Sequence, residues 1–588
     1  MKKNLYFALL FVFSTSNIFS QDIDYSNQLI TRYLYQENLS KNGKTDGFWK
    51  TKFLIEAKRN REKLTSQVYE TLRIPHTRAD ADRPVYTTSN IYNSSYFRIH
   101  YTKTGVYKVN ITDNNSNSVP DFVEKVGFYF DKVYLKDSTS NYSVAPGDGT
   151  FGGNSKLDIY IGGAINGVAA IESGTYGYVM PEDEIGNNPK TPLTERFAWT
   201  SWICVNNDYS WLDNPTQAGI DSALAVTAAH EFMHVVQFAY NGEMSLWLME
   251  MTAVWAEEFH FPGYDDNFQY IPNTIEVTDV SLNLTNIDDP NNNYSDYWYG
   301  TWIFAQYLTE HTNKDIIRLW YEKTLQIADL QALDNILKTS WNSDFETYYK
   351  NFLVAKMVFM SPSSWEPYAF KRADDYYNYI YDYSDFTFEK MISFTGIDQT
   401  FNSANQGNKT LMRISSDYFL ISPDRNFTIS LTPESNAQIG LMVIKSNYTN
   451  DLVSVSKPVL NSGKYEVNVN DYSIYEEIVA VVYRLDTAVK NTNSKSYILN
   501  VKSIATDITT KETQNVAIFP NPCSQVLTIV AENEWIDVDI LDLSGKLVRK
   551  IGLSENKTID VSNLKHGCYF VLFKDKFNTV KRLKFIKE

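Results

Sequence analysis

Residues 221–240 read DSALAVTAAHEFMHVVQFAY. Apolar residues recur there at helical spacing, and Leu224, Val226, Ala228, Ala229, Phe232 and Val236 cover so much of the circumference that the predicted helix must be largely buried. Three ionisable side chains interrupt it: His230, Glu231 and His234. Four residues apart on a helix, the two histidines project from one face about one turn apart, so their ring nitrogens can share one Zn2+. Glu231 then lies beside that face, placed to accept a proton from water. Burying three such groups is costly unless they are paired or metal-bound. Hydrogen bonding within a core is the alternative use of the two histidines.

A catalytic zinc site commonly draws three ligands from the protein. The next apolar run, SLWLMEMTAVWAEEF at 245–259, follows a turn signal at Asn241-Gly242 and carries Glu250. Glu257 and Glu258 are rival carboxylates on the same run. Glu257, seven residues beyond Glu250, falls near the same face and suits a hydrogen bond to a ligand histidine, with a solvated acidic helix end as the alternative. The combination resembles the gluzincin metallopeptidases, in which HExxH is followed on the next helix by a glutamate ligand. The string from Trp247 to Ala253 is similar to the W-L-x-E-x-x-A of the aminopeptidases in that clan. Over about residues 96–359 the chain also resembles secreted bacterial metalloproteases that combine HEFxHxxQF with WLMEGTAxWxEE, with Met251 standing where that pattern has Gly.

The resemblance implies a zinc peptidase with His230, His234 and Glu250 as ligands and Glu231 as general base. It also implies a Tyr or His at the oxyanion, for which Tyr299, ahead of Tyr297, is the candidate in DYWYGTWIF. Exopeptidases of the clan carry a Gly-x-Met-Glu-Asn string that captures a free amine, and none precedes His230, so an endopeptidase acting on a protein or peptide is expected. The strand-like Trp202 to Tyr209 reads either as an edge strand for an extended substrate or as an interior strand. Rival readings are a non-catalytic adhesin on the same fold and a glycoprotein-directed hydrolase.

A second metal is expected at Asp113 to Glu124, where Asp113, Asn115, Asn117, Val119, Asp121 and Glu124 have the spacing of a Ca2+ loop. Ser118 occupies the position usually given to Gly. The competing reading is an Asx-rich turn capping a helix that starts near Asp121.

With 588 residues the chain is too long for one core, and its 43% hydrophobic and 15% aromatic content argues for folding throughout. The net charge of −16 makes nucleic acid a poor partner. Residues 1–20, MKKNLYFALLFVFSTSNIFS, read as a signal peptide whose removal takes the charge to −18, and no transmembrane anchor is expected. Three cysteines cannot build a disulfide scaffold, although Cys523 and Cys568 could pair.

The expected class is α+β and multidomain: a gluzincin-like zinc peptidase core, a β-sandwich, and a small all-β C-terminal sorting domain. Residues 21–90 read as an N-terminal region or propeptide with a helix over 53–72, residues 91–360 as the catalytic domain, and 361–505 as the β-sandwich. A linker near 506–514 precedes residues 515–588. There PNP, DLSGKLV and the DVSNLKHGCYF turn resemble the C-terminal sorting domain of the Bacteroidetes type IX secretion system. That implies the secretion machinery as a partner and a secreted or surface location. A monomer is expected.

Overall fold

The computed structural model describes residues 23–39, 48–72, 74, 83–212, 215–285, 294, 297–312, 315–359, 366–383, 394–395, 398–405, 410–450, 452–486, 494–504, 516–531, 535–542, 546–552, 558–575 and 580–588. The signal-peptide and linker readings lie outside them. The chain is mixed α and β, with several sheets and an all-β C-terminal region. It forms two compact units, Met1–Thr274 with Leu282–Phe352, and Ile275–Ser281 with Leu353–Glu588.

The first unit is built on a five-stranded mixed sheet. Its strands are β1 (Asn90–Asn93), β2 (Phe97–Tyr101), β3 (Leu157–Ile161), β6 (Gly177–Gly186) and β7 (Ala198–Val205), in the order β1-β2-β3-β7-β6. A small hairpin of β4 (Ala164–Ile165) and β5 (Val168–Ala169) intervenes in sequence. β2, β3 and β7 run parallel, while β1 and β6 pair antiparallel at the two edges. β7 is thus an interior strand, which settles the alternatives for Trp202 to Val205 against an edge. Every residue of AWTSWICV is buried, as a strand covered on both faces requires.

Before the sheet come α1 (residues 23–39), α2 (Thr51–Arg59) and α3 (Ser66–Leu72). The single helix expected over 53–72 is therefore broken. The chain leaves the helix at Asn60 (φ −114°, ψ 28°), whose side-chain amide donates back to the Glu56 carbonyl at 3.0 Å, and Leu64 is extended. α4 (Asp121–Thr139) links β2 to β3. α5 (Gln217–Tyr240) follows β7, and α6 (Leu246–His260) follows α5. The Phe97 ring on β2 meets Phe130 of α4 and Phe232 of α5 at 5.6 Å each. Phe232 is fully buried, and cutting it to Ala would cost about 3–5 kcal/mol.

In the second unit two five-stranded sheets enclose a core that includes Phe419, Ile429, Leu441, Val481's neighbours Ala480 and Val482, and Leu499. Alternation along Phe427–Pro433 places Phe427, Ile429 and Leu431 inward. The C-terminal strands form antiparallel sheets of three and four strands around Leu527, Val538, Val571 and Phe585. Cys204, Cys523 and Cys568 are all free thiols, so the possible Cys523–Cys568 pairing is not made.

Candidate metal centre

Two capped helices bring the candidate ligands together. Thr216 accepts a hydrogen bond from the Gly219 amide at the start of α5, and Ser245 accepts one from the Leu248 amide at the start of α6, each worth about 1 kcal/mol. Between them the Gly242 amide donates to the Phe197 carbonyl at 2.8 Å. A Cβ on Gly242 would lie 2.2 Å from the Trp199 ring, so the connection runs closer to the sheet than any other residue allows.

His230, Glu231, His234 and Glu250 are fully buried. One Glu250 carboxylate oxygen is 3.7 Å from His230 Nε2 and 3.9 Å from His234 Nε2, and the three candidate ligand atoms lie within 4.8 Å of one another. Both Nε2 atoms and both Glu250 oxygens are buried without a hydrogen-bond partner. Natural interiors seldom leave four such atoms facing one another.

The outer nitrogens are spoken for. His230 Nδ1 meets Glu257 Oε1 at 2.9 Å, and His234 Nδ1 meets Gln237 Oε1 at 2.9 Å. An ionised carboxylate only accepts. Gln237 spends its amide hydrogens on the Met249 carbonyl at 2.9 Å and Thr252 Oγ1 at 3.0 Å. Both histidines therefore carry their proton on Nδ1 and turn an Nε2 lone pair toward Glu250. Burial pushes His230 down to about 3 and His234 down to about 4, the latter opposed by the Glu250 charge, so both are neutral at pH 7. Burial pushes the Glu250 carboxyl up, against the pull of His234 and Lys52. A dication among the three would relieve that buried charge, and two neutral imidazoles with one carboxylate suit zinc.

Tyr299 lies in a helical turn, Tyr297–Gly300, with its ring 6.4 Å from that of His230 and 5.2 Å from that of Tyr270. Tyr297 is buried in the same turn, and burial raises its hydroxyl. Glu257 lies where its spacing from Glu250 placed it. Gln237 was not anticipated, although its position three residues after His234 on a helix could have drawn attention to it.

Neither were the N-terminal residues. Thr51 donates its hydroxyl to Glu231 Oε2 at 2.9 Å, and the Phe48 ring stacks on His230 at 4.0 Å and 6°. Lys52 Nζ lies 5.1 Å from the Tyr299 ring.

At the expected calcium loop, Asp113 accepts from the Asn117 and Ser118 amides at 3.2 and 2.9 Å, and Asp121 accepts from the Asn114 amide at 3.0 Å. The Asn115 and Asn117 side chains donate to Glu124 at 2.9 and 2.6 Å, and the Val119 amide donates to Asn117 Oδ1 at 2.8 Å. Ser118 adopts φ +72°, the conformation Gly would ease, and α4 begins at Asp121. Loop and helix start are both present, with these side chains turned upon one another.

Residues 517–588 match the family described as Secretion system C-terminal sorting domain. No curated protein matches the chain. Similar solved structures include the pre-peptidase C-terminal domain of a collagenase from Bacillus anthracis, 17% identical over 19% of this chain and 96% of that one, with a TM-score of 0.15. The Endo-D glycoside hydrolase domain from Streptococcus pneumoniae R6 is 10% identical over 32% of this chain and 33% of its own, TM-score 0.12. The BSP domain of a biofilm associated protein is 11% identical over 37% of this chain and 56% of its own, TM-score 0.12. The sorting domain marks a secreted, Bacteroidetes-type protein that engages the type IX secretion machinery and reaches the cell surface or the medium. No helix among the described residues is long and apolar enough to cross a membrane.

Proposed function

We propose that this chain is a secreted zinc endopeptidase with a gluzincin-like core. The observation that supports it is the convergence of His230 Nε2, His234 Nε2 and the Glu250 carboxylate, buried and without hydrogen-bond partners, beside Glu231. Zinc held there would supply Lewis acidity, polarising a peptide carbonyl and lowering the pKa of water toward about 7. Glu231 takes the proton from the attacking water on a carboxylate oxygen and passes it to the departing amine. Glu257 and Gln237 fix the two imidazoles in the ligating tautomer. Tyr299 is the proposed donor to the oxyanion of the tetrahedral intermediate. The Asp113 to Glu124 loop is the proposed calcium site, with the weak affinity common in extracellular modules.

The test is zinc content of the exported protein, together with casein cleavage by wild type and Glu231→Gln. One zinc per chain, with cleavage that o-phenanthroline stops and the substitution abolishes, is expected. Zinc without hydrolysis of any substrate would support an adhesin instead, and cleavage confined to glycosylated proteins would support a glycoprotein-directed hydrolase. Protein without zinc would end the proposal.

A further inference from the structure

We propose that residues 23–72 are an intramolecular inhibitor of the candidate zinc site, carried by the precursor and released by a cut N-terminal to Arg83. This rests on the zinc-peptidase reading and names the regulation of that same site.

The segment has a core of its own, in which Leu29, Tyr33, Trp49, Phe53, Val68 and Leu72 are buried together. What it presents outward is aimed at the chemistry. Thr51, the first residue of α2, donates to Glu231 and accepts the Val179 amide at 3.1 Å. Val179 belongs to β6, the edge strand beside β7, and that amide faces away from the sheet, where an extended peptide would pair. One hydroxyl thus takes both the general base and a backbone donor that a substrate would use. Phe48 lies flat on His230, and Phe48, Thr51 and Lys52 are at most 2% exposed. The segment crosses the site as a turn leading into a helix, so it lays no extended peptide bond along β6 and blocks without being a substrate.

Its attachments are mixed. Lys50 Nζ meets Glu172 at 3.1 Å, Trp49 Nε1 meets Thr175 Oγ1 at 2.9 Å and Arg59 meets the Gly242 carbonyl at 2.6 Å, while Leu54 packs into the apolar cluster of Tyr160, Tyr178, Met180 and Trp202. Water can replace the polar contacts on both faces after separation, as it does at dissociable interfaces. The chain downstream is held independently. Arg83 is buried among Asp148, Asp158 and Glu182, with bonds of 2.6 Å to the last two, and a cut upstream leaves that clamp intact.

The experiment uses the full chain and reads the metal rather than turnover. Zinc transfer to EDTA is timed for wild type, for Phe48→Ala with Thr51→Val, and for Arg59→Gln. Transfer from both variants is expected to be about tenfold faster, the ratio that one lost buried hydrogen bond implies, and acetohydroxamate is expected to bind the variants more tightly than wild type. Independently of folding in the variants, N-terminal sequencing of the exported species that cleaves casein is expected to start upstream of and close to Arg83. Equal transfer rates in all three proteins, or an active exported species that still begins near residue 21, would overturn the inhibitor while leaving the zinc site standing. A chain that holds no zinc in any form would remove both.

Discussion

Glu257 and Gln237 pose the same question to the two histidines with different charge. Each accepts from an Nδ1 at 2.9 Å, one as a buried carboxylate and the other as an amide. Glu257→Gln keeps the shape and the hydrogen bond of the carboxylate and deletes its charge. A hydrogen bond to a charged partner is worth about 1.5–3 kcal/mol against about 0.5–1.5 for a neutral one. The difference of about 1–1.5 kcal/mol weakens zinc binding about tenfold, since about 1.4 kcal/mol is one decade. Glu257→Ala also leaves a buried N–H without its acceptor and is expected to cost about a hundredfold, the upper end for the partners of metal-ligating histidines. The assay is competitive titration of the apo chain with a chromophoric zinc chelator, alongside circular dichroism to show that each variant is folded. A Glu257→Gln protein that is folded and binds zinc within twofold of wild type would refute the argument that this carboxylate sets the basicity of His230.

Gly242→Ala drives a Cβ to 2.2 Å from the buried Trp199 ring and is expected to cost about 1–3 kcal/mol by overpacking, lowering Tm by a few degrees and reducing zinc stoichiometry; an unchanged Tm would contradict it. Lys356 is buried beside Tyr418, and burial pushes its ammonium down to about 7 from 10.5. The unfolded chain therefore binds the extra proton between pH 7 and 10.5, so stability rises with pH across that window by up to about 1.4 kcal/mol per unit. Lys356→Met is expected to flatten that rise in denaturant titrations at pH 7, 8 and 9, and an identical slope would count against it. Millimolar calcium is expected to raise the Tm of wild type and to leave Asp113→Ala with Glu124→Ala unmoved, with a scanning melt as the measurement.

The parts of the site legible in the sequence are those set by local geometry. His230 and His234 are one helical turn apart, and Glu250 and Glu257 share a face of the next helix, so spacing alone places them. Gln237 stands at the Q of the HEFxHxxQF string, but an amide has no charge to explain away in an apolar helix, so its position alone assigns it no role. Thr51 and Glu231 stand 180 residues apart, and only the folded topology joins them. The order of strands was equally hidden, because alternation reports which face of a strand is buried and not which strand lies beside it. The strand-like run from Trp202 left edge and interior open, and only the folded sheet, in which Ala198–Val205 is buried throughout, decides for the interior. The sorting domain was readable because its turns are punctuated by fixed Pro, Gly and Asp residues.

The three thiols have a consequence for a protein made inside a cell and used outside it. Burial pushes Cys204 up to about 12 and raises Cys568 as well, so neither offers the thiolate that oxidants and disulfide carriers attack. The fold asks nothing of the oxidising machinery it passes on the way out. Its melting temperature is expected to be the same with and without dithiothreitol, a tolerance that crosslinked exoproteins do not share.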